Sequence, residues 1–103
     1  MQIIKDLASY IDEEIGDAQK YVKKALCVKE DMPQLAQVFY QLSIEELDHM
    51  NRLHTEVVKI ISRYKDEGKE IPEGMEMAYK LLHERAIDWV KEVKLMQAMF
   101  REM

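Results

Sequence analysis

The stretch Phe39-Tyr40-Gln41-Leu42-Ser43-Ile44-Glu45-Glu46-Leu47-Asp48-His49-Met50-Asn51-Arg52-Leu53 decides how this chain is read. It holds no glycine or proline, and its apolar residues recur at helical spacing. An apolar stripe runs through Leu35, Val38, Phe39 and Leu42, then resumes with Met50, Leu53, Val57, Ile60, Ile61 and Tyr64. Glu46 and His49 stand in the gap. Positions three apart share a helix face, so both side chains project the same way. A carboxylate on an inward face is costly unless it is paired or bound to a metal.

The segment upstream repeats the pattern. Leu7, Ile11, Ala18, Val22 and Ala25 line one face, with Glu14 among them and Ile15 as the alternative occupant of that core position. A Glu-x-x-His on one inward face, with a further inward Glu on a neighbouring helix, is half of a bundle's di-metal ligand set. Carboxylate and imidazole donors suit iron or manganese. The metal-free reading is an intrahelical Glu46–His49 pair filling a polar gap, with Glu14 as a surface carboxylate beside the stripe. One chain supplies only three such ligands. Two chains related by a two-fold axis would supply four carboxylates and two imidazoles, and symmetric dimers are the commonest oligomers.

The rest of the chain organises around these two segments as an all-α protein, a single domain over residues 1–103. The first helix is expected from about residue 2 to about residue 29, with Gly16 inside it as a place where another helix could approach closely. Glu30-Asp31-Met32-Pro33 breaks the pattern, with Asp31 as N-cap and Pro33 in the first turn of the second helix. That helix ends near Lys65 or Asp66. Gly68 fits a C-terminal cap and Pro72 a restart. The third helix runs from about Glu73 to the end, with Met75, Tyr79, Leu82, Ala86, Trp89, Val90, Val93, Met96 and Phe100 inward. Glu76, Glu84, Asp88 and Glu92 form its wet face. Short connections make sequential helices antiparallel neighbours.

Composition excludes several classes. A formal charge of −5 argues against nucleic acid as a partner. Cys27 is the only cysteine, so no intrachain disulfide and no cysteine-rich zinc or iron–sulfur site can form. It is expected as a small buried apolar residue. The early charges of Met1-Gln2-Ile3-Ile4-Lys5-Asp6 are unlike a signal peptide, and no apolar run approaches a membrane span. A cytoplasmic protein without a membrane partner is expected. His54 lies on a different face from His49 and reads as a surface or interface residue. His83 borders the inward face of the third helix, where it reads as a packing histidine with a metal as its alternative partner.

With these residues in hand, a resemblance becomes visible. Ser43-Ile44-Glu45-Glu46-Leu47-Asp48-His49-Met50-Asn51-Arg52-Leu53 resembles the second-helix signature of ferritins, and of bacterial ferritins most closely. Glu14-Ile15-Gly16-Asp17-Ala18-Gln19-Lys20-Tyr21 resembles their first-helix signature, a Glu seven residues before a Tyr. The two occur in order and at about the family's separation, and the likeness covers roughly residues 5–60. It implies Glu14 as a terminal metal ligand, Glu46 as a carboxylate bridging two irons, and His49 as a ligand to one iron. It implies Tyr21 as a hydrogen-bonding residue near the site.

The departure is as informative. A ferritin subunit has four core helices and draws further ligands from its second half, whereas this chain has only a third helix and no second Glu-x-x-His. It looks like a half-ferritin: a ferritin-like helical hairpin plus a third long helix, dimerising into a four-helix-bundle core. In that logic it is similar to the short ferritin-like proteins enclosed in encapsulin shells. The hollow storage cage of ferritin does not carry over to so short a chain, and the paired cysteines of rubrerythrins are absent. The resemblance implies a di-iron protein, with manganese as the other metal, that oxidises Fe(II) with oxygen or peroxide as a homodimer or higher homo-oligomer. A non-enzymatic helical adaptor or assembly protein is the alternative. Zinc-dependent hydrolysis is a poorer third reading, because no further nucleophile or base constellation is present.

Overall fold

Three long helices, α1 (Gln2–Val28), α2 (Pro33–Asp66) and α3 (Glu73–Glu102), build the computed structural model, which describes residues 2–103. No strand occurs among the described residues. The helices run up, down and up. Contacts pair Ala18 with Ser43 and Glu14 with His49, so α1 and α2 are antiparallel. Trp89 reaches Gln19 while Lys29 reaches Phe100, so α3 runs parallel to α1. The molecule measures 57 × 19 × 18 Å, close to the ~51 Å that a helix of α2's length spans at 1.5 Å per residue.

Local chemistry explains the ends. Pro33 occupies the first positions of α2, as its fixed φ and missing N–H favour. The residue before it, Met32, therefore takes the cap position, and Asp31 lies one residue too far out to cap as the sequence suggested. Backbone bonds carry the turn instead: Met32 N–H donates to the Val28 carbonyl at 2.8 Å and Ala36 N–H to that of Met32 at 2.9 Å. α2 ends in a Schellman arrangement. Gly68, at φ 71°, donates to the Lys65 carbonyl at 3.1 Å, and Lys69 donates to that of Tyr64 at 3.0 Å. Glycine is required there by the positive φ.

The core sits between α1 and α2 and extends to α3. On α1 the buried residues are Ile4, Ile11, Ile15, Ala18, Val22 and Ala25. Ile15, not Glu14, fills the core position, and Glu14 is displaced to the flank of the interface. On α2 the buried line is Ala36, Tyr40, Ser43, Leu47, Met50 and Val57. This is not the stripe expected from sequence: Leu35 and Val38 remain 42% and 54% exposed. The two lines start one residue, about 100°, apart on the helix. α2 thus carries an apolar arc wider than α1 alone can cover. The less covered part, through the exposed Leu35 and Val38 and the half-buried Phe39 and Leu42, leads toward Glu46 and His49.

α3 lies along the other flank of the hairpin. Of its expected inward residues, Val93 and Phe100 are buried, most others are half-buried, and Leu82 stays 40% exposed. A polar clasp fixes its register, in which the buried Gln97 donates to Ser43 Oγ at 2.9 Å and Ser43 donates to the Ala18 carbonyl at 2.7 Å. Gly16 faces Trp89, whose ring would meet an added Cβ at 3.5 Å, an ordinary contact. A close approach there does not demand glycine; a side chain longer than alanine would meet the indole. Cys27 is exposed rather than buried, because it falls on the lysine-rich outer face of α1 beside Lys23 and Lys24.

Candidate metal centre

Antiparallel packing brings Glu14 of α1 opposite Glu46 and His49 of α2. One donor atom from each of the three lies within 4.8 Å of the others. His49 Nδ1 is 3.6 Å from Glu14 Oε2 and 3.8 Å from Glu46 Oε1. Both separations are longer than a hydrogen bond. The imidazole faces the two carboxylates without being bonded to either. Exposure is graded across the cluster: the side chains of Glu46, Glu14 and His49 are 17%, 26% and 52% exposed. The site is a shallow cup on the flank of the hairpin, open on the side away from α3.

Two features mark the cup as unfinished. Glu14 Oε2 is buried and lacks a hydrogen-bond partner. Glu46 is pushed up to about 7, first by a proton shared with Glu14, then by burial and by Glu14's charge, while His49 pulls it down. A carboxyl held up in this way keeps its proton to higher pH than a free one, and a bound cation would compete with that proton. The residues fit a hard divalent ion: hard oxygen donors, one imidazole, and an orphaned buried oxygen waiting for a positive partner. The two separations from His49 Nδ1, 3.6 and 3.8 Å, are within the ~4 Å that ligands about 2.1 Å from one ion can span.

The raised carboxyl has a measurable consequence. The stability that Glu46 contributes is fully present below its ordinary value of 4.5 and is lost as pH rises through about 7. Metal-free protein is expected to melt progressively lower across that range, and Glu46→Gln, which cannot ionise, to flatten this part of the slope. Thermal unfolding followed by circular dichroism in chelator-treated buffer checks it. An unchanged slope in the variant would place the titrating group elsewhere. Added divalent metal should act oppositely, since its affinity climbs as the carboxylates ionise.

Of the other residues singled out from sequence, Tyr21 lies on the same flank two turns along α1, stacked on Phe39 at 6.2 Å between centroids. No hydrogen bond joins its hydroxyl to the cluster among the described residues. Glu45 and Asp48 are exposed, and Asp48 pairs with Arg52 at 3.4 Å. His83 does not approach the cluster; it stacks on the half-buried His54 at 4.9 Å, which also places His54 between helices rather than on the surface. Ser43 and Gln97 escaped sequence reading. The available signal was a serine on the Tyr40–Leu47 line and a glutamine on the Val93–Phe100 line, each interrupting an apolar repeat. No family model, curated protein or solved structure matches the chain. No helix is long and apolar enough to cross a membrane among the described residues.

Proposed function

We propose that the chain is a ferritin-like subunit that pairs through the open α1–α2 flank and oxidises Fe(II) at a di-iron centre completed by the pairing. The observation that carries this reading is the cluster of Glu14, Glu46 and His49, half of a di-metal ligand set and open on one side. Its surroundings agree. Ile3, Tyr10, Leu35 and Val38 are 51%, 50%, 42% and 54% exposed, and they lie on the cluster's flank. A second copy laid antiparallel over this flank would bury those side chains and make a four-helix core.

Charge balance supports two ions per pair. Four carboxylates from two chains carry four negative charges, matching two divalent cations. Without metal the same pairing would crowd four carboxylates, adding repulsion to the hydrogen bond with Glu14 and the burial that already raise Glu46 within one chain. Pairing is therefore strengthened by metal. Glu46 of each chain would hold both ions, Glu14 and His49 would each hold one, and Tyr21 would stand at the site's edge. A pair of iron ions held there would supply electrons two at a time, as reduction of oxygen or peroxide requires. Manganese satisfies the same donors.

Native mass spectrometry across a dilution series, with and without Fe(II) under anaerobic conditions, tests the proposal, followed by Fe(II) oxidation with oxygen or peroxide. The expected result is a homodimer, or a multiple of it, that tightens with Fe(II), holds one iron per chain, and oxidises it. A stable monomer binding two irons would remove the symmetric site. A dimer that takes up no iron, or binds it without oxidation, would favour the helical adaptor or assembly reading.

A further inference from the structure

The two halves of α3 are held differently. The described residues of α3 that are buried, Val93, Gln97 and Phe100, all lie in its C-terminal part. The polar ties to the hairpin lie there too. Gln97 donates to Ser43, Trp89 Nε1 to Gln19 at 3.1 Å, Lys29 to the Phe100 carbonyl, and Arg101 to the Tyr40 hydroxyl at 2.8 Å. Among the described residues, no side-chain hydrogen bond joins residues 74–88 to α1 or α2. An ion pair of Lys65 with Glu76, at 3.8 Å, is exposed on both sides and so holds weakly. Beneath this half the packing is incomplete: a half-open hollow of about 310 Å³ lies against the hairpin, with Ile11, Met50, Ala86 and Val90 in its walls. Beside the hollow a ring stack joins α3 to α2. His83 lies 4.9 Å from His54 at an interplanar angle of 17°, and 5.8 Å from Tyr79 at 24°.

His54 Nε2 is buried and has no hydrogen-bond partner among the described residues. With that nitrogen sealed from water, the ring takes on charge at a high cost unless the helices part. Burial first, and then the neighbouring His83, hold the His54 imidazole below its ordinary range. The groups around the stack do not offset a positive charge. On α3, Tyr79 is neutral, its hydroxyl held above the ordinary range by burial, and Lys91 and Lys94 stand on the hollow's rim. On α1 the rim carries one exposed carboxylate, Asp12, and on α2 Asn51 is uncharged. Around the other side of His83, Lys65 and Lys80 outnumber Glu76, which already pairs with Lys65.

We propose that the His54–His83 stack is an acid-sensitive latch: a proton taken up at the stack releases residues 74–88 of α3 from the hairpin, while the clasped part from Trp89 onward stays docked. The released half bares the apolar walls of the hollow to water. The stacked contact is complete above the ordinary imidazole value of 6.5 and is lost as pH falls below it, through the lower value held in the closed fold. Glu46, on the opposite flank, acts in the other sense, its contribution growing as pH falls through about 7. Acid therefore loosens one half of one helix rather than the whole chain. The latch does not depend on what the metal cluster does.

Amide hydrogen exchange of the full chain in chelator, corrected for the intrinsic effect of pH, tests this between about pH 7.5 and about pH 5. Protection of residues 74–88 is expected to fall by about 10-fold or more over that range, one proton permitting at most about tenfold per pH unit. Residues 93–102 and the α1–α2 hairpin should keep theirs. The His54 ring, followed by NMR of its carbon-bound protons, should take up its proton over the same pH course. His54→Phe keeps a stacked ring that cannot titrate, and should remove the fall while the chain stays helical. Protection that falls evenly in all three helices, or holds constant at residues 74–88, would overturn the proposal. So would a fall that persists in His54→Phe. A His54 ring still neutral where protection has gone would do the same, and that measurement uses the unmodified chain, so it stands even where His54→Phe fails to fold.

Discussion

Replacing His49 with alanine is expected to lower Fe(II) affinity by about 100-fold or more while leaving the helices intact. The imidazole is 52% exposed, and both of its charged neighbours lie beyond hydrogen-bond range. Little of the folded state rests on it, so the stability change should stay within ~0.5 kcal/mol, as for an ordinary surface position. In the proposed ligand role it would matter far more. Removing a group that merely supports a ligand typically costs about 10–100-fold in metal affinity, and removing the ligand itself should cost at least as much. It also leaves a cluster of carboxylates with no nitrogen donor, a poorer match to iron. Anaerobic Fe(II) titration beside far-ultraviolet circular dichroism separates the two effects. Wild-type oxidation rates in His49→Ala would mean that the imidazole is no ligand, whatever its position.

Much of this architecture was legible in the sequence because its punctuation is local. Pro33 and Gly68 act through their own φ angles, so the ends of α2 followed from residue type alone. The cluster was legible for a different reason. Polar residues that interrupt an apolar repeat are conspicuous, and Glu14, Glu46 and His49 did so in two helices that short connections make neighbours. What the sequence could not assign was which part of each apolar arc meets which partner. Leu35 and Val38 fit an inward stripe as well as Ala36 and Tyr40 do, and only packing against α1 chooses between them. The same ambiguity hid the true place of Glu14, since Ile15 beside it competes for the core and wins. Tertiary pairings of polar residues were also hidden. The Ser43–Gln97 clasp and the His54–His83 stack join α2 to α3 across long stretches of sequence, and no local rule pairs such residues.

The surplus apolar surface on the cluster's flank is where these two results meet. An arc that exceeds what the chain itself covers needs either solvent or a partner, and here the excess ends on three metal-type donors. A partner that covers the arc also dries the cup. Lower local dielectric strengthens both the carboxylate repulsion without metal and the carboxylate–metal attraction with it. Assembly and metal loading should therefore be one coupled equilibrium, each tightening the other by the same factor.

Glu46→Ala is expected to damage Fe(II) oxidation more than Glu14→Ala, and both substitutions should leave the metal-free protein at least as heat-stable near neutral pH as the unmodified chain. The two halves of this expectation have one cause. Glu46 is the less exposed of the two carboxylates and is pushed up to about 7, first by its hydrogen bond with Glu14 and then by burial. Deleting either carboxylate relieves that crowding, so stability without metal does not fall. Activity moves the other way. In the proposed centre Glu46 would hold both ions, so its loss should abolish paired electron transfer. A terminal ligand serves one ion, and water can complete the coordination, so Glu14→Ala should retain slow turnover. Iron stoichiometry and stopped-flow Fe(II) oxidation on both variants, beside melting curves in chelator, decide the matter. Glu45, exposed on the next helical position, is the control for register: loss of oxidation in Glu45→Ala with retention in Glu46→Ala would mean that the working carboxylate is the neighbour. Wild-type oxidation in both Glu14→Ala and Glu46→Ala would detach the cluster from the chemistry altogether. Variants that become more heat-stable without metal and less active with it would show that these carboxylates are retained for an ion at a cost to the empty fold.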